Sequence, residues 1–290
     1  TNYRCKSNIV DLAATGIKNN YRRSDKSMVA HNNGGKVLIT NCNSESLYEY
    51  SLKAYKYIVD LINSGESVED IAVLSRNNYH LSILNNMLIK KGIFVTCSEE
   101  MKFSRNKFYR IIVDALKLIN DTRNADLVGK TLYNICRAFS KKNSLTLAAV
   151  LKHSALNLVD VLDIIKESTL HYKNTFPGVP STVLTNIFGI CDRISKDAID
   201  DLITLHDLLK LSKKEDTARG LLGQMYNSIS YRFSRNKDAD RTFNGMIDYL
   251  SNTISNSGYE KTMEFLKMTE LFEKGMLGVP GSKIVLSTVH

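Results

Sequence analysis

The spacing of apolar side chains changes character partway along the 290-residue chain, near Phe108. Up to that point short apolar runs alternate with helical stripes. Ile9, Leu12, Ala13 and Ile17 recur on one side of a helix predicted over 9–20. A polar stretch, Arg22 to Asn33, leads through Gly34-Gly35 into Lys36-Val-Leu-Ile-Thr40, a β-branched run that predicts a strand. Ser44 is placed to cap a long helix reaching Asn63, with Leu47, Leu52, Tyr55, Ile58, Val59 and Ile62 along its apolar side. Ile71-Ala-Val-Leu-Ser75 is nearly all apolar, as expected of a parallel strand covered on both faces. A helix over 81–91 stops at Gly92, and Ile93-Phe-Val-Thr-Cys97 predicts a third strand. Strands alternating with helices in this order predict an α/β unit with right-handed crossovers.

From Ile111 to about Gly275 the pattern is helical, without a convincing period-2 run. Loops are expected at 121–124, 141–144, 174–180, 212–216, 236–240 and 256–258. A helical stretch of about 160 residues has the size of a domain in its own right. Gly278-Val-Pro-Gly281 then turns into Lys283-Ile-Val-Leu-Ser-Thr-Val289, a strand of the same apolar kind as the earlier ones. The economical architecture is α/β: a parallel-sheet domain over 1–110, an all-helical insertion over 111–277, and a return strand over 278–290 that rejoins the sheet.

Composition narrows the partners. With 43% hydrophobic and 24% charged residues, the chain does not have a disordered composition. A formal net charge of +9 favours polyanions, nucleic acid above all, although such a balance serves solubility alone about as often. Cys5, Cys42, Cys97, Cys136 and Cys191 stand far apart. That spacing indicates neither a zinc knuckle nor a redox pair, and an odd number argues against a disulfide framework. They read as reduced thiols of a cytoplasmic protein. No apolar run approaches the length of a membrane span, and no signal peptide opens the chain. An opening Thr1 and a closing His290 directly after a strand-like run suggest a piece of a longer protein.

Several short motifs invite a chemical reading. Gly129-Lys130-Thr131 resembles the end of a phosphate-binding loop, but such a loop needs a second glycine where Asn124 stands. An ordinary helix is the better account, and Gly34-Gly35-Lys36 fails because a strand follows it. Tyr3 beside Arg4 combines a ring that can stack on a base with a guanidinium that can grip phosphate, yet taken alone the pair is better read as a core-edge ring and a surface charge. Arg76-Asn77-Asn78 sits at the carboxyl end of a buried strand, where open α/β sheets bind ligands; an Asn-rich turn is the equal alternative. His290 follows the last strand at the same edge. Lys210, Lys213, Lys214 and Arg219 form one basic group, and Arg232, Arg235, Lys237 and Arg241 another, with Tyr226, Tyr231 and Phe233 interleaved. Basic side chains among aromatics suit a nucleic-acid backbone, but the neighbouring Glu215, Asp216, Asp238 and Asp240 favour a solvated helix face.

Taken in order, these pieces resemble the second motor domain of UvrD/Rep/PcrA-type superfamily 1 DNA helicases. Asn2-Tyr3-Arg4-Cys5, followed by Asn20, Arg23 and Lys26, resembles the family's opening motif. The strand ending in Arg76-Asn77-Asn78, the run Lys91-Gly92-Ile93-Phe94-Val95, and Phe103-Ser-Arg105 before Asp114-Ala-Leu-Lys-Leu-Ile119 resemble the next three. Ile284-Val-Leu-Ser-Thr-Val-His290 resembles the motif that closes the insertion. The likeness covers the whole chain in order, although the insertion matches only in length, position and helicity.

The resemblance implies a partial RecA-like sheet domain with a helical insertion, in an ATP- and magnesium-dependent helicase that moves along single-stranded DNA in the 3′-to-5′ direction. It implies that Tyr3 stacks on adenine and Arg4 reaches the γ-phosphate. Arg76 and Asn78 then contact the single-stranded backbone, His290 couples the DNA and ATP sites, and the insertion engages duplex DNA. Repair or recombination proteins are possible partners, and no membrane is. Some positions depart from the pattern: Cys5 stands where the family has Ser, and Leu81-Ser82 where it has Ser-Arg, so one expected charge is missing. The phosphate loop, magnesium carboxylates and water-positioning glutamine belong to a first motor domain. This stretch by itself is therefore expected to bind no cofactor and hydrolyse no ATP. A basic, non-catalytic helical module that binds DNA or protein is the alternative.

Overall fold

The computed structural model describes residues 1–22, 27–41, 46–76, 78–98, 101–170, 176–233, 237–273 and 283–288. Two compact units divide the chain, Thr1–Asn43 and Ser44–His290.

In the first unit β1 (Asn2–Lys6) leads directly into α1 (Ser7–Lys18) and pairs in parallel with β2 (Ala30–Asn32). The strand expected at 36–40 is absent; the pairing segment is the one before the glycines, and Val37, Leu38 and Ile39 are exposed. The reason lies at Gly34 and Gly35, whose φ values of +90° and +100° suit glycine. Their carbonyls accept from the backbone N–H and side chain of Asn8, and the Gly34 N–H donates to Ser7 Oγ. The chain is thereby tied to the start of α1 as soon as β2 ends. Only Val10 of α1 is buried.

In the second unit α2 (Leu47–Asn63) is followed by a 3-10 turn, Val68–Asp70, and β3 (Ala72–Ser75). Then come α3 (Asn78–Lys90), β4 (Val95–Thr96) and a second 3-10 turn, Phe103–Arg105. The last strand, β5 (Ile284–Thr288), lies between β3 and β4 and is parallel to both, with Ala72 opposite Val285 and Val95 opposite Ile284. Residues on either side of the helices thus share one sheet.

Among the described residues that sheet is covered on one face only. Ile58 of α2 and Leu81, Leu84 and Leu88 of α3 bury Ile71, Ile284 and Leu286. Leu74 is 64% exposed and Val285 42%. Alternation puts these residues on the other face, so the expected cover on both sides is not found within the described residues.

The helices between the strands are α4 (Lys107–Lys117), α5 (Ala125–Ile135), α6 (Lys141–Lys152), α7 (Leu158–Leu170) and α8 (Ser181–Cys191). They continue with α9 (Lys196–Leu209), α10 (Lys214–Phe233), α11 (Lys237–Ser257) and α12 (Tyr259–Glu273). Side-chain caps explain several starts: Asn106, Asn124, Ser140 and Ser195 accept from the backbone N–H of Phe108, Leu127, Asn143 and Ala198. The cap at Ser140 also corrects the loop expected at 141–144, which is the first turn of α6. One continuous core joins these helices, with Phe103, Phe108, Tyr109 and Phe243 fully buried. At Gly245 of α11 an added Cβ would lie 2.7 Å from Leu47 Cβ, so glycine lets α11 and α2 approach closely. The whole is an α/β fold with a helical insertion.

Candidate nucleic-acid interface

Asn2 shapes the opening motif. Its Oδ1 accepts from the backbone N–H groups of Arg4 and Cys5, both at 2.9 Å. Tyr3 remains 70% exposed, its ring 4.9 Å from that of His31, and Arg4 is exposed beside it. An open ring and an unburied guanidinium on one short strand are available to a ligand. Arg23 and Lys26 lie outside the described residues.

Arg76 stands exposed immediately after β3, and Asn78 opens α3. Both therefore occupy the carboxyl edge of the sheet, the side on which parallel α/β sheets bind ligands. Ser75 Oγ and His80 Nδ1 lie 3.3 Å apart at this edge. Ser82, at the position of the missing arginine, is fully buried and carries no charge to the surface. Asn77 and His290 lie outside the described residues.

A cleft of about 370 Å³ opens beside β3 between α2, α3 and α11. Tyr50, Leu74, Ser75, His80 and Arg241 line it, and the lining residues include no carboxylate among those described. Sequence reasoning had placed Arg241 on a solvated helix face. No local signal joins it to β3; only the return of the chain through α11 does so.

The other basic group is largely neutralised. Lys210 pairs with Asp163 at 2.7 Å, Lys214 with Glu260 at 2.6 Å, and Arg219 with Asp216. His206 is buried between Asp163 and Asp207, at 2.7 and 2.8 Å, and Lys166 pairs with Asp207 at 2.6 Å. The Lys166 ammonium and then His206 hold the Asp207 carboxyl below its usual value. At Asp163 burial pushes the other way, but hydrogen bonds from Lys210 and His206 outweigh it and lower the pKa. These contacts lock α7 to α9. A second groove of about 610 Å³, between α6 and α8, does carry available cations, Lys141 and Lys142, which line it with His153 and Asn186.

Gly129-Lys130-Thr131 lies inside α5, with Gly129 packed toward Ala148 and Thr131 Oγ1 donating to the Leu127 carbonyl. It forms no phosphate loop. Nor did the sequence signal Glu273, a buried carboxylate that accepts from the Phe103 and Ser104 N–H groups at 2.8 Å each. Among the described residues there is no group of three or more His, Cys, Asp or Glu suited to a metal ion, and no helix is long and apolar enough to cross a membrane.

Comparison with known proteins agrees with this layout. A probable DNA helicase II homolog of Mycoplasma capricolum subsp. capricolum is 27% identical over 165 residues, which are 57% of this chain. The matched stretch spans only 22% of that protein's length. The family of UvrD-like helicase C-terminal domains matches residues 1–290, the full chain. This chain therefore belongs to the UvrD-like helicase C-terminal domain family.

Proposed function

We propose that this chain is the second motor region of an ATP-dependent DNA helicase moving 3′ to 5′, and that it holds the single-stranded backbone through Arg76 and Asn78. One observation carries the reading: in a chain of this family, an exposed arginine and an asparagine stand together at the carboxyl edge of the parallel sheet. A guanidinium there can grip phosphate oxygens without reading sequence.

The exposed Tyr3 ring and Arg4 guanidinium fit a nucleotide, with Tyr3 against the adenine and Arg4 toward the γ-phosphate. ATP supplies the phosphoryl group whose transfer drives translocation, and a first motor domain supplies the magnesium carboxylates. This chain's part is to orient and neutralise, and alone it releases no phosphate, because phosphoryl transfer needs both faces of a cleft. The α6–α8 groove with Lys141, Lys142 and His153 suits the phosphates of a duplex, as the insertion's role requires.

The test is a fluorescence-anisotropy titration of single-stranded DNA of varied sequence across a salt series. The expected result is weak, sequence-independent binding that falls steeply with salt, and a loss of affinity in Arg76→Ala. Sequence-selective binding, or an Arg76→Ala variant that binds as tightly as the parent, would overturn the reading in favour of a non-catalytic module.

A further inference from the structure

The cleft beside β3 has a composition that the Arg76–Asn78 motif does not explain. Its charged member, Arg241, comes from α11, inside the helical insertion, and forms no ion pair among the described residues. Facing it are the Ser75 hydroxyl and the His80 imidazole, which touch each other at 3.3 Å. The remaining wall is apolar apart from Ser51 and includes the ring of Tyr50, 48% exposed.

Each part suits one portion of a nucleotide. A guanidinium can donate to phosphate oxygens, and so can the member of the Ser75–His80 pair whose proton is not spent on the bond between them. An exposed tyrosine ring offers a stacking surface that accepts any base. The volume, about 370 Å³, lies near the lower end for clefts that take a small ligand, about 300–1,000 Å³. A cleft without described carboxylates, in a chain of net charge +9, favours an anion over a cation or a neutral peptide.

We infer that this cleft binds one nucleotide of a single strand, with the phosphate on Arg241 and the Ser75–His80 pair and the base against Tyr50. The inference rests on the single-stranded DNA reading above and adds a site that the Arg76–Asn78 pair does not include. Because α11 belongs to the insertion and β3 to the sheet, a strand held here bridges the two. The helical insertion thereby takes part in gripping single-stranded nucleic acid.

The experiment titrates the 290-residue chain with fluorescein-labelled oligothymidylate at several salt concentrations. Arg241→Gln is expected to weaken binding at least about fivefold and to reduce the salt slope by about 0.7, the value for one single-strand phosphate contact. Tyr50→Leu is expected to weaken binding by about fivefold or more with the slope unchanged, as loss of stacking should, while Tyr50→Phe binds as the parent does. Lys196→Gln, at the exposed start of α9, controls for simple loss of charge, and circular dichroism checks that each variant folds. If Arg241→Gln loses no more than Lys196→Gln, the cleft is not a phosphate site. If Arg76→Ala loses affinity while Arg241→Gln and Tyr50→Leu do not, this inference falls and the functional reading stands. No salt-dependent binding by the parent chain overturns both.

Discussion

The helical core and the sheet core of the second unit are built on different terms. In the first, Phe108, Tyr109 and Phe243 are enclosed from every side, and ring pairs such as Phe108–Phe243, 5.8 Å apart and edge-on, lock neighbouring helices. In the second, Ile71, Leu81, Leu84, Ile284 and Leu286 are buried from one face alone, and the opposite face leaves Leu74 and Val285 in solvent. At the margin of the thinner core stand Arg76, exposed after β3, and His80 and Arg241, which line the cleft beside it. On the proposed reading, stability and single-stranded DNA contact fall to different layers. A substitution in the helical core should cost folding, and one at the sheet margin should cost affinity.

The largest expected effect tests that division directly. Phe243→Ala empties a fully enclosed site that cannot collapse easily, and should destabilise by about 3–5 kcal/mol in urea unfolding followed by circular dichroism. Affinity for single-stranded DNA, measured where the variant is still folded, should not change. If Phe243→Ala lowered affinity as strongly as Arg241→Gln does, the two layers would not be separate.

A smaller effect is expected where the helical region relies on polar contacts. Asp201 of α9 is buried and accepts from the Arg137 backbone N–H at 2.5 Å and from its Nη2 at 2.9 Å, while its own carbonyl accepts from Gln224. Hydrogen bonds from Arg137 to Asp201 raise the guanidinium's pKa. Asp201→Ala leaves the Arg137 N–H without its acceptor, at a cost of about 1–3 kcal/mol. The half-exposed guanidinium can hydrate, which keeps the loss below that of Phe243→Ala. A change as large as that of Phe243→Ala would show that polar clamps, and not aromatic packing, dominate this layer.

The two layers were also unequally legible in the sequence. The helical insertion announced itself through 3.6-residue periodicity, because that signal is local. So did β3 and β5, whose apolar runs predicted strands in nearly the observed places. The strand expected at 36–40 failed because a β-branched run is a strand only where a partner ladder exists, and the turn at Gly34-Gly35 gave the pairing to Ala30–Asn32. Tyr3, Arg4, Arg76 and Asn78 were legible as candidates, as members of short motifs. Arg241 and Glu273 were not, since each acquires its meaning only when a distant helix returns to the sheet or to the turn before α4.

Glu273 sits at the junction of the layers and gives the smallest and most specific test. It closes α12 and fastens the Phe103–Arg105 turn, accepting from two backbone amides and, at 3.4 Å, from Asn85 of α3. Burial pushes its carboxyl above the ordinary 4.5, although the bonds from Ser104 and Phe103 pull it down. The folded chain therefore holds this proton more tightly than the unfolded chain does. The group's contribution to stability is fully present below pH 4.5 and is lost as pH rises through the raised value. Asp207, with its lowered carboxyl, has the opposite sign: its contribution is present above 3.8 and lost as pH falls through the lower folded value. Subtracting a Glu273→Gln variant isolates the first effect. Parallel urea titrations should show the parent losing stability relative to Glu273→Gln as pH rises from 4.5, with single-stranded DNA affinity equal in the two proteins at fixed pH and salt. A constant difference across that range would mean that the amide bonds, and not burial, govern this carboxylate, and a parallel loss of affinity would mean that the junction carries ligand contact as well as packing.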